Sequence, residues 1–314
     1  MRTRIIVFGA TGFIGQHLIR EVDNDSISPV TRSLNKRIPA VHESRNWLVA
    51  DLLSPHSIEQ ILTPECTVIN LAYCGTSSSE DNIKMVENLV QACHRIKVSK
   101  LLHCSTAVVV GENPSATISE DTKCLPVTLY EKTKYQIESF LLDSANDDFK
   151  IYIIRPTVVI GPGGQNLRKM LCEIEAGNCV MNYVRSSVFG NRNLNLVAVK
   201  DVVGALMHLS KPSSFCSGVY ICSADDDPDN RYDKVEAIMR EILEKQRRIK
   251  PTPLPKQILR LMLRFSRSGA GRFAARNYSS AKLFRTGFQR SESVAQTVRE
   301  FVLSEIVSST RGSL

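Results

Sequence analysis

The first fifteen residues constrain this chain more than any other stretch. Ile5-Ile6-Val7-Phe8 is a short, wholly apolar run with the character of a buried strand. It passes directly into Gly9-Ala10-Thr11-Gly12-Phe13-Ile14-Gly15 and then into an amphipathic helical stretch, Gln16 to Val22. Strand, glycine turn and helix in that order are the setting in which a backbone turn holds a dinucleotide. Glycines allow a tight turn and close approach to a pyrophosphate, and the helix N-terminus offers unpaired N–H groups and the positive end of its dipole. Gly9, Thr11, Gly12, Phe13, Ile14 and Gly15 are therefore the first candidate cofactor contacts.

A second strand is expected at Ile27 to Thr31, where Pro29 argues for an edge or irregular position. Roughly 20 residues past such a glycine turn, an acidic side chain commonly holds a ribose 2′-hydroxyl, and a cation suits a 2′-phosphate. This chain offers Thr31-Arg32-Ser33 there, with Lys36 and Arg37 close behind. Arg32 thus favours NADP(H) over NAD(H). Short apolar strands follow at Trp47 to Ala50, Thr67 to Leu71 and Lys100 to Cys104, separated by helical stretches at Pro55 to Leu62 and Asp81 to Ile96. Such alternation predicts an α/β fold, a Rossmann-type doubly wound parallel sheet. Polar groups at strand ends face the binding crevice in that architecture. They are Asp51, Asn70, Ser105 and Thr106, with Asp51 placed either to bond an adenine amino group or to cap the next helix.

Thr128 to Glu138 reads as a helix carrying Tyr130 and Lys134 one turn apart on one face. A lysine beside a tyrosine favours the phenolate, which makes the phenol a usable proton acceptor or donor. Spacing alone does not separate this from two solvated side chains, since Tyr278 and Lys282 repeat it.

At 314 residues and 43% hydrophobic content the chain suits a globular protein with one large or two modest cores. No apolar run approaches the roughly 18 residues of a membrane span, and a strand-like run starting at Ile5 leaves no room for a signal peptide, so a cytoplasmic location is expected. The nine cysteines include no Cys-x-x-Cys pair, which suits reduced thiols and no metal site. Net charge is +8, yet Lys245 to Arg290 alone holds 13 Lys or Arg and no acid. Such asymmetry asks for an anionic partner. Within it, Leu254 to Arg267 reads as a basic amphipathic helix, placed either on the protein's own core or at the inner face of a membrane. No aromatic interleaving points to nucleic acid.

The motifs taken together, a Gly-x-x-Gly-x-x-Gly turn, Ser105-Thr106 at the fifth strand, Tyr130-x-x-x-Lys134 on the next helix and Arg155-Pro156 closing the sixth strand, resemble the extended short-chain dehydrogenase/reductase family, in its epimerase and dehydratase branch. The resemblance covers nearly the whole chain and separates Tyr130 from Tyr278, which lacks the Ser-Thr strand ahead of it. It implies that Tyr130 exchanges a proton with a substrate oxygen, Thr106 orients that oxygen, and Lys134 holds the nicotinamide ribose and keeps the phenolate's pKa down. It also implies cofactor contacts at Asp51, Leu52, Leu71, Ala72 and Pro156; whether the chain forms a homodimer is left open by the sequence.

The implied organisation is a cofactor domain of residues 1–156 plus about 194–222, with strands near 194–199 and 218–222 added to its sheet, and a smaller C-terminal substrate-binding lobe of about 157–193 plus 223–314, ending in a closing helix from Val294 to Val302. The implied activity is interconversion of a secondary alcohol and a ketone on a nucleotide-linked or polyprenyl-diphosphate-linked sugar, as epimerase or 4-keto reductase. Alternatives are an NADPH-dependent reductase of a non-sugar ketone, of the flavonol or steroid kind, and a non-catalytic NADP-sensing protein. Two departures point away from nucleotide sugars: Val158 stands where relatives usually carry a substrate-binding asparagine, and Leu194 where many carry an arginine, with Arg192 two residues away.

Overall fold

Alternation along the strands decides the architecture. In β1 (Ile5–Phe8) Ile6 and Phe8 enter one apolar cluster while Ile5 and Val7 enter another, as a pleated strand buried on both faces requires. The same division recurs in β5 (Lys100–Cys104), through Leu101 against Leu102, and in β7 (Lys150–Pro156), through Ile151 and Ile153 against Tyr152 and Ile154. The structure, a computed structural model, describes residues 4–22, 27–33, 45–177, 179–211, 215–245 and 276–311.

Between these strands the described chain forms α1 (Phe13–Glu21), β2 (Ile27–Thr31), β3 (Leu48–Val49), α2 (Pro55–Glu59), β4 (Thr67–Asn70), α3 (Ser79–Ile96), β6 (Thr117–Ile118) and α4 (Leu129–Ser144). After β7 come β8 (Val158–Ile160), α5 (Arg168–Glu175), α6 (Cys179–Phe189), β9 (Leu196–Ala198), α7 (Val199–Ser210), β10 (Gly218–Cys222) and α8 (Tyr232–Ile242). A short β11 (Asn277–Tyr278), the helical turn Ala281–Phe284 and a closing helix, Val294–Arg311, complete the described residues.

The main sheet has seven strands in the order β10-β7-β5-β4-β1-β2-β3, paired parallel throughout. From β1 the chain winds one way to β3 and then the other way from β4 to β10, so the topological switch lies between β1 and β4. Ligands of such sheets bind beyond the carboxyl ends of the strands at that point. Helices α2, α3 and α4 cover one face, while α1 and α7 cover the other. A third cluster, including Leu171 and Ile174 of α5, Val235 and Met239 of α8, and Val298, Phe301 and Val302 of the closing helix, makes a separate core.

Three expectations are corrected. The strand near 194–199 does not join the main sheet; β9 pairs in parallel with β8, and only β10 extends the sheet at β7. Strand β2 is not at the sheet's edge, since β3 pairs with its Val30 and Thr31. Pro29 is tolerated because β3 does not reach it, leaving only β1 opposite through Val7. The closing helix runs to Arg311, well past the expected Val302.

The basic helix expected over Leu254 to Arg267 lies outside the described residues, as do Lys36 and Arg37. Three other cations of that segment are engaged within the fold. Arg276 donates to the Gly111 carbonyl at 2.6 Å, Lys282 to the Val219 carbonyl at 2.8 Å, and Arg290 to Asp226 at 2.6 Å. Among the described residues no helix is long and apolar enough to cross a membrane, and no group of three or more His, Cys, Asp or Glu is gathered as metal ligands.

Candidate active site

The glycine turn sits at the switch between β1 and β4. Gly9 has φ +75°, and a Cβ there would come within 2.6 Å of the Ala72 backbone nitrogen, so only glycine lets the turn lie against the end of β4. Gly15 serves the other side: its Cβ would meet the Gly9 carbonyl at 2.4 Å, so the helix start and the turn are in direct backbone contact. Gly12 is the N-cap of α1, with no side chain closing the helix end. A turn that admits no Cβ and a helix start free of side-chain caps fit the pyrophosphate of a dinucleotide.

Beyond the turn lies a cavity of about 210 Å³. Eight of the thirteen expected cofactor residues line it: Gly9, Thr11, Gly12, Arg32, Asp51, Leu52, Leu71 and Ala72. The others lie around it. Phe13 turns its ring towards Gly161, Gly164 and His17, and Ile14 packs into the core beneath α1. Gly15 and Pro156 do not line the cavity, the latter being paired with Cys222 at the end of β7. Lys134 is not part of the lining, but its ammonium lies 4.5 Å from the ring of Tyr73, which is. Asp51 lines the cavity, and its Oδ1 accepts the Leu53 N–H at 3.0 Å in the turn before α2; it does not cap that helix, whose N-cap is Ser54 with no side-chain hydrogen bond. Asn70, expected at the crevice, is instead fully buried. It joins the strands internally, contacting His103 Nδ1 at 3.2 Å and accepting the Ala72 N–H at 3.0 Å.

The reacting pair is carried on α4, whose start is fixed by a capping box. The Thr128 hydroxyl accepts the Glu131 N–H at 3.3 Å while the Glu131 carboxylate accepts the Thr128 N–H at 3.0 Å. One turn in, Tyr130 is 41% exposed, and the Thr106 hydroxyl lies near enough to its phenol to favour the phenolate. Thr106 is itself held by accepting the Val108 N–H at 3.4 Å, at the start of a 3₁₀ turn over Ala107–Val110. Lys134 is 4% exposed, and its ammonium donates to the Cys104 carbonyl at 3.2 Å. Thr106, distant in sequence from the helix, is thus brought together with Tyr130 and Lys134 at the carboxyl end of β5.

The electrostatics differ from the expected picture in one respect. Lys134 was expected to lower the Tyr130 pKa, but burial pushes the phenol up to about 12, with the Cys104 thiol and Tyr73 acting in the same direction and the Thr106 hydrogen bond opposing them. Burial also pulls Lys134 down, Cys104 up to about 11, and His103 well below its usual range. Among the protein's own groups, then, desolvation sets the direction, and Lys134 is not among the groups that move the phenol.

Two neighbours were not anticipated. Tyr73 and Cys74, directly after β4, line the cavity. Hydrogen bonds from Ser77 and Thr76 lower the Cys74 thiol to about 6. The signal that could have found them is the strand-end rule that located Thr106. Tyr278 behaves otherwise than Tyr130: it pairs with Ile118 through β11 and β6, and its N–H donates to Asp225 at 2.6 Å.

A parallel sheet with a glycine turn at its switch point and a Thr, Tyr, Lys cluster beside it defines a nucleotide-cofactor α/β protein, and the comparisons agree. The chain belongs to the NAD dependent epimerase/dehydratase family, whose profile matches residues 5–216. It is 32% identical over 190 residues to an Arabidopsis thaliana protein assigned as a UDP-arabinose 4-epimerase, across 52% of this chain and 43% of that one. It is 26% identical to the N-acetyl-alpha-D-glucosaminyl-diphospho-ditrans,octacis-undecaprenol 4-epimerase of Escherichia coli O157:H7, across 61% of each chain. The chain spans about half the length of the curated relatives it matches. In fold it resembles the Bordetella bronchiseptica enzyme WbmG, solved with NAD and UDP, with TM-score 0.74, 16% identity and coverage of 98% of this chain and 96% of that one.

Proposed function

We propose that this chain is an NADP(H)-preferring oxidoreductase that interconverts a secondary alcohol and a ketone on an activated sugar, as a 4-epimerase or 4-keto reductase. The observation that carries the proposal is the gathering of the Thr106 hydroxyl, the Tyr130 phenol and buried Lys134 at the carboxyl end of β5. A neutral hydroxyl at Thr106 orients a substrate oxygen without competing for its proton. Tyr130 delivers or removes that proton at the same oxygen.

With its pKa near 12 the phenol carries its proton at neutral pH and is poised to donate it to a carbonyl oxygen. Bound nicotinamide supplies or accepts the hydride, and its oxidised form brings a positive charge. Lys134 would hold the nicotinamide ribose, while Gly9, Thr11 and Gly12 would bind the pyrophosphate.

Arg32 supports the cofactor preference, because it lines the cavity at the end of β2 where an acidic residue would select a free 2′-hydroxyl. Replacing Arg32 with Ala is expected to weaken NADPH binding by about tenfold, the loss of roughly one charge-assisted contact, and to leave NADH nearly unaffected. Titration of both cofactors by fluorescence checks this; equal effects on the two would remove the basis for an NADP preference.

The E. coli relative's name includes a polyprenyl diphosphate carrier, whereas the Arabidopsis relative's names a nucleotide sugar. Incubating the protein and NADP(H) or NAD(H) with UDP-N-acetylglucosamine, and separately with the polyprenyl-diphosphate-linked sugar, tests the substrate class. Inversion at C4, or net reduction of the corresponding 4-keto sugar, is the expected result with one of them. No inversion and no change in nicotinamide absorbance with either would overturn the sugar reading. Turnover of a steroid or flavonol ketone would then replace it.

A further inference from the structure

Tyr73 is the residue that joins the cofactor cavity to the reacting pair. It lines the cavity beside Leu71, Ala72 and Cys74, directly after β4. Its ring centroid also lies 4.5 Å from the Lys134 ammonium, and 5.2 Å from the Tyr130 ring at an interplanar angle of 86°. One side chain therefore touches the cavity, the cation and the phenol ring.

The Lys134 ammonium needs such a neighbour. It is 4% exposed and therefore has surrendered most of its water, yet it carries three N–H donors. One is satisfied by the Cys104 carbonyl on β5. Of the titratable groups facing it, Cys104 and Glu138 favour its charge, but burial outweighs them. His103 on β5 is kept neutral by burial and by Lys134 itself, and the Cys104 thiol is pushed up to about 11. On α4, Tyr130 is kept protonated, while Glu138 is engaged with Arg155 in a bidentate pair. What remains is the Tyr73 ring face, whose negative quadrupole attracts a cation most strongly where water is excluded.

We propose that Tyr73 is a positioning residue: its ring face retains the Lys134 ammonium behind the cavity, and its near-perpendicular contact fixes the Tyr130 ring towards Thr106. This deepens the reading of Tyr130 and Lys134 as the reacting pair and rests on it for its consequence in turnover, but the contact itself is tested without turnover.

The test is a pH titration of the lysine side chains by NMR in protein labelled with ¹³C-lysine, with the Lys134 signal assigned by its loss in Lys134→Met. Tyr73→Phe keeps the ring and is expected to titrate with the unmodified protein. Tyr73→Leu removes the ring face and is expected to lower the Lys134 midpoint by about one pH unit. Replacement of Tyr73 by pentafluorophenylalanine keeps the shape, reverses the quadrupole and is expected to shift the midpoint in the same direction. That variant decides the matter should Tyr73→Leu fail to fold. A Lys134 midpoint unchanged by pentafluorophenylalanine would overturn the proposal. If the midpoint moves as expected while Tyr130→Phe retains full turnover, the contact stands and the catalytic reading falls.

Discussion

Tyr130→Phe is expected to reduce turnover by about 10³-fold or more, roughly 4 kcal/mol of transition-state stabilisation, while cofactor affinity stays within a few fold. The phenol oxygen is the atom on which Thr106 acts, and the substitution removes only that oxygen. The Tyr130 ring, with its near-perpendicular contact to Tyr73, keeps its place in the variant. The pH dependence follows from the same residue. A group titrating near 12 is protonated across the neutral range, so its capacity to donate a proton to a ketone is flat there. Its capacity to accept a proton from an alcohol depends on the phenolate fraction, which rises about tenfold per pH unit below that value. Alcohol oxidation should therefore accelerate with pH while ketone reduction does not, and Tyr130→Phe should lose the oxidation slope. Single-turnover measurements of nicotinamide reduction and reoxidation check both statements. Full turnover in the variant would rule out the proton-transfer role.

The parts of this architecture that were legible in the sequence are those set by local rules. The glycine turn was readable because strand, turn and helix are contiguous, and Gly9 and Gly15 are required by backbone contacts within that unit and at the end of β4. Strands β1, β4, β5 and β7 were readable as apolar runs because both their faces are buried. Pairing between distant segments was not. Nothing local to Leu196–Ala198 says that it pairs with Val158–Ile160 rather than joining the main sheet, and Pro29 gave a misleading edge signal because β3 stops short of it.

The site divides the same way. Thr106, Tyr130 and Lys134 were found through ordered motifs, but their electrostatics depend on burial, which spacing does not encode. The helical face that places Lys134 beside Tyr130 also places it under β5, against a carbonyl and an aromatic ring. Tyr73 was missed because an aromatic residue after an apolar strand reads as core until the strand end is known to form a cavity wall.

The second large effect is expected one turn beyond Lys134, in the ion pair that ties α4 to β7. Arg155 donates through Nε and Nη2 to both Glu138 oxygens at 2.5–3.1 Å, and the two side chains are 5% and 1% exposed. Assembling such a pair in a core gains little, because desolvation offsets much of the attraction. Breaking it is a different matter, since one charge is then left buried without its partner. Glu138→Ala is expected to destabilise the fold by about 3–5 kcal/mol, a large share of the ~5–15 kcal/mol typical of a domain. The paired replacement Glu138→Leu with Arg155→Met removes both charges, fills much of the volume, and is expected to recover most of that loss. Urea denaturation followed by circular dichroism measures all three chains. A Glu138→Ala loss below about 1 kcal/mol would place the pair among weak surface-like bridges. Recovery in the double variant would show that the geometry of α4, and with it the placement of Tyr130 and Lys134 over β5, needs the absence of an unpaired charge rather than the presence of a paired one.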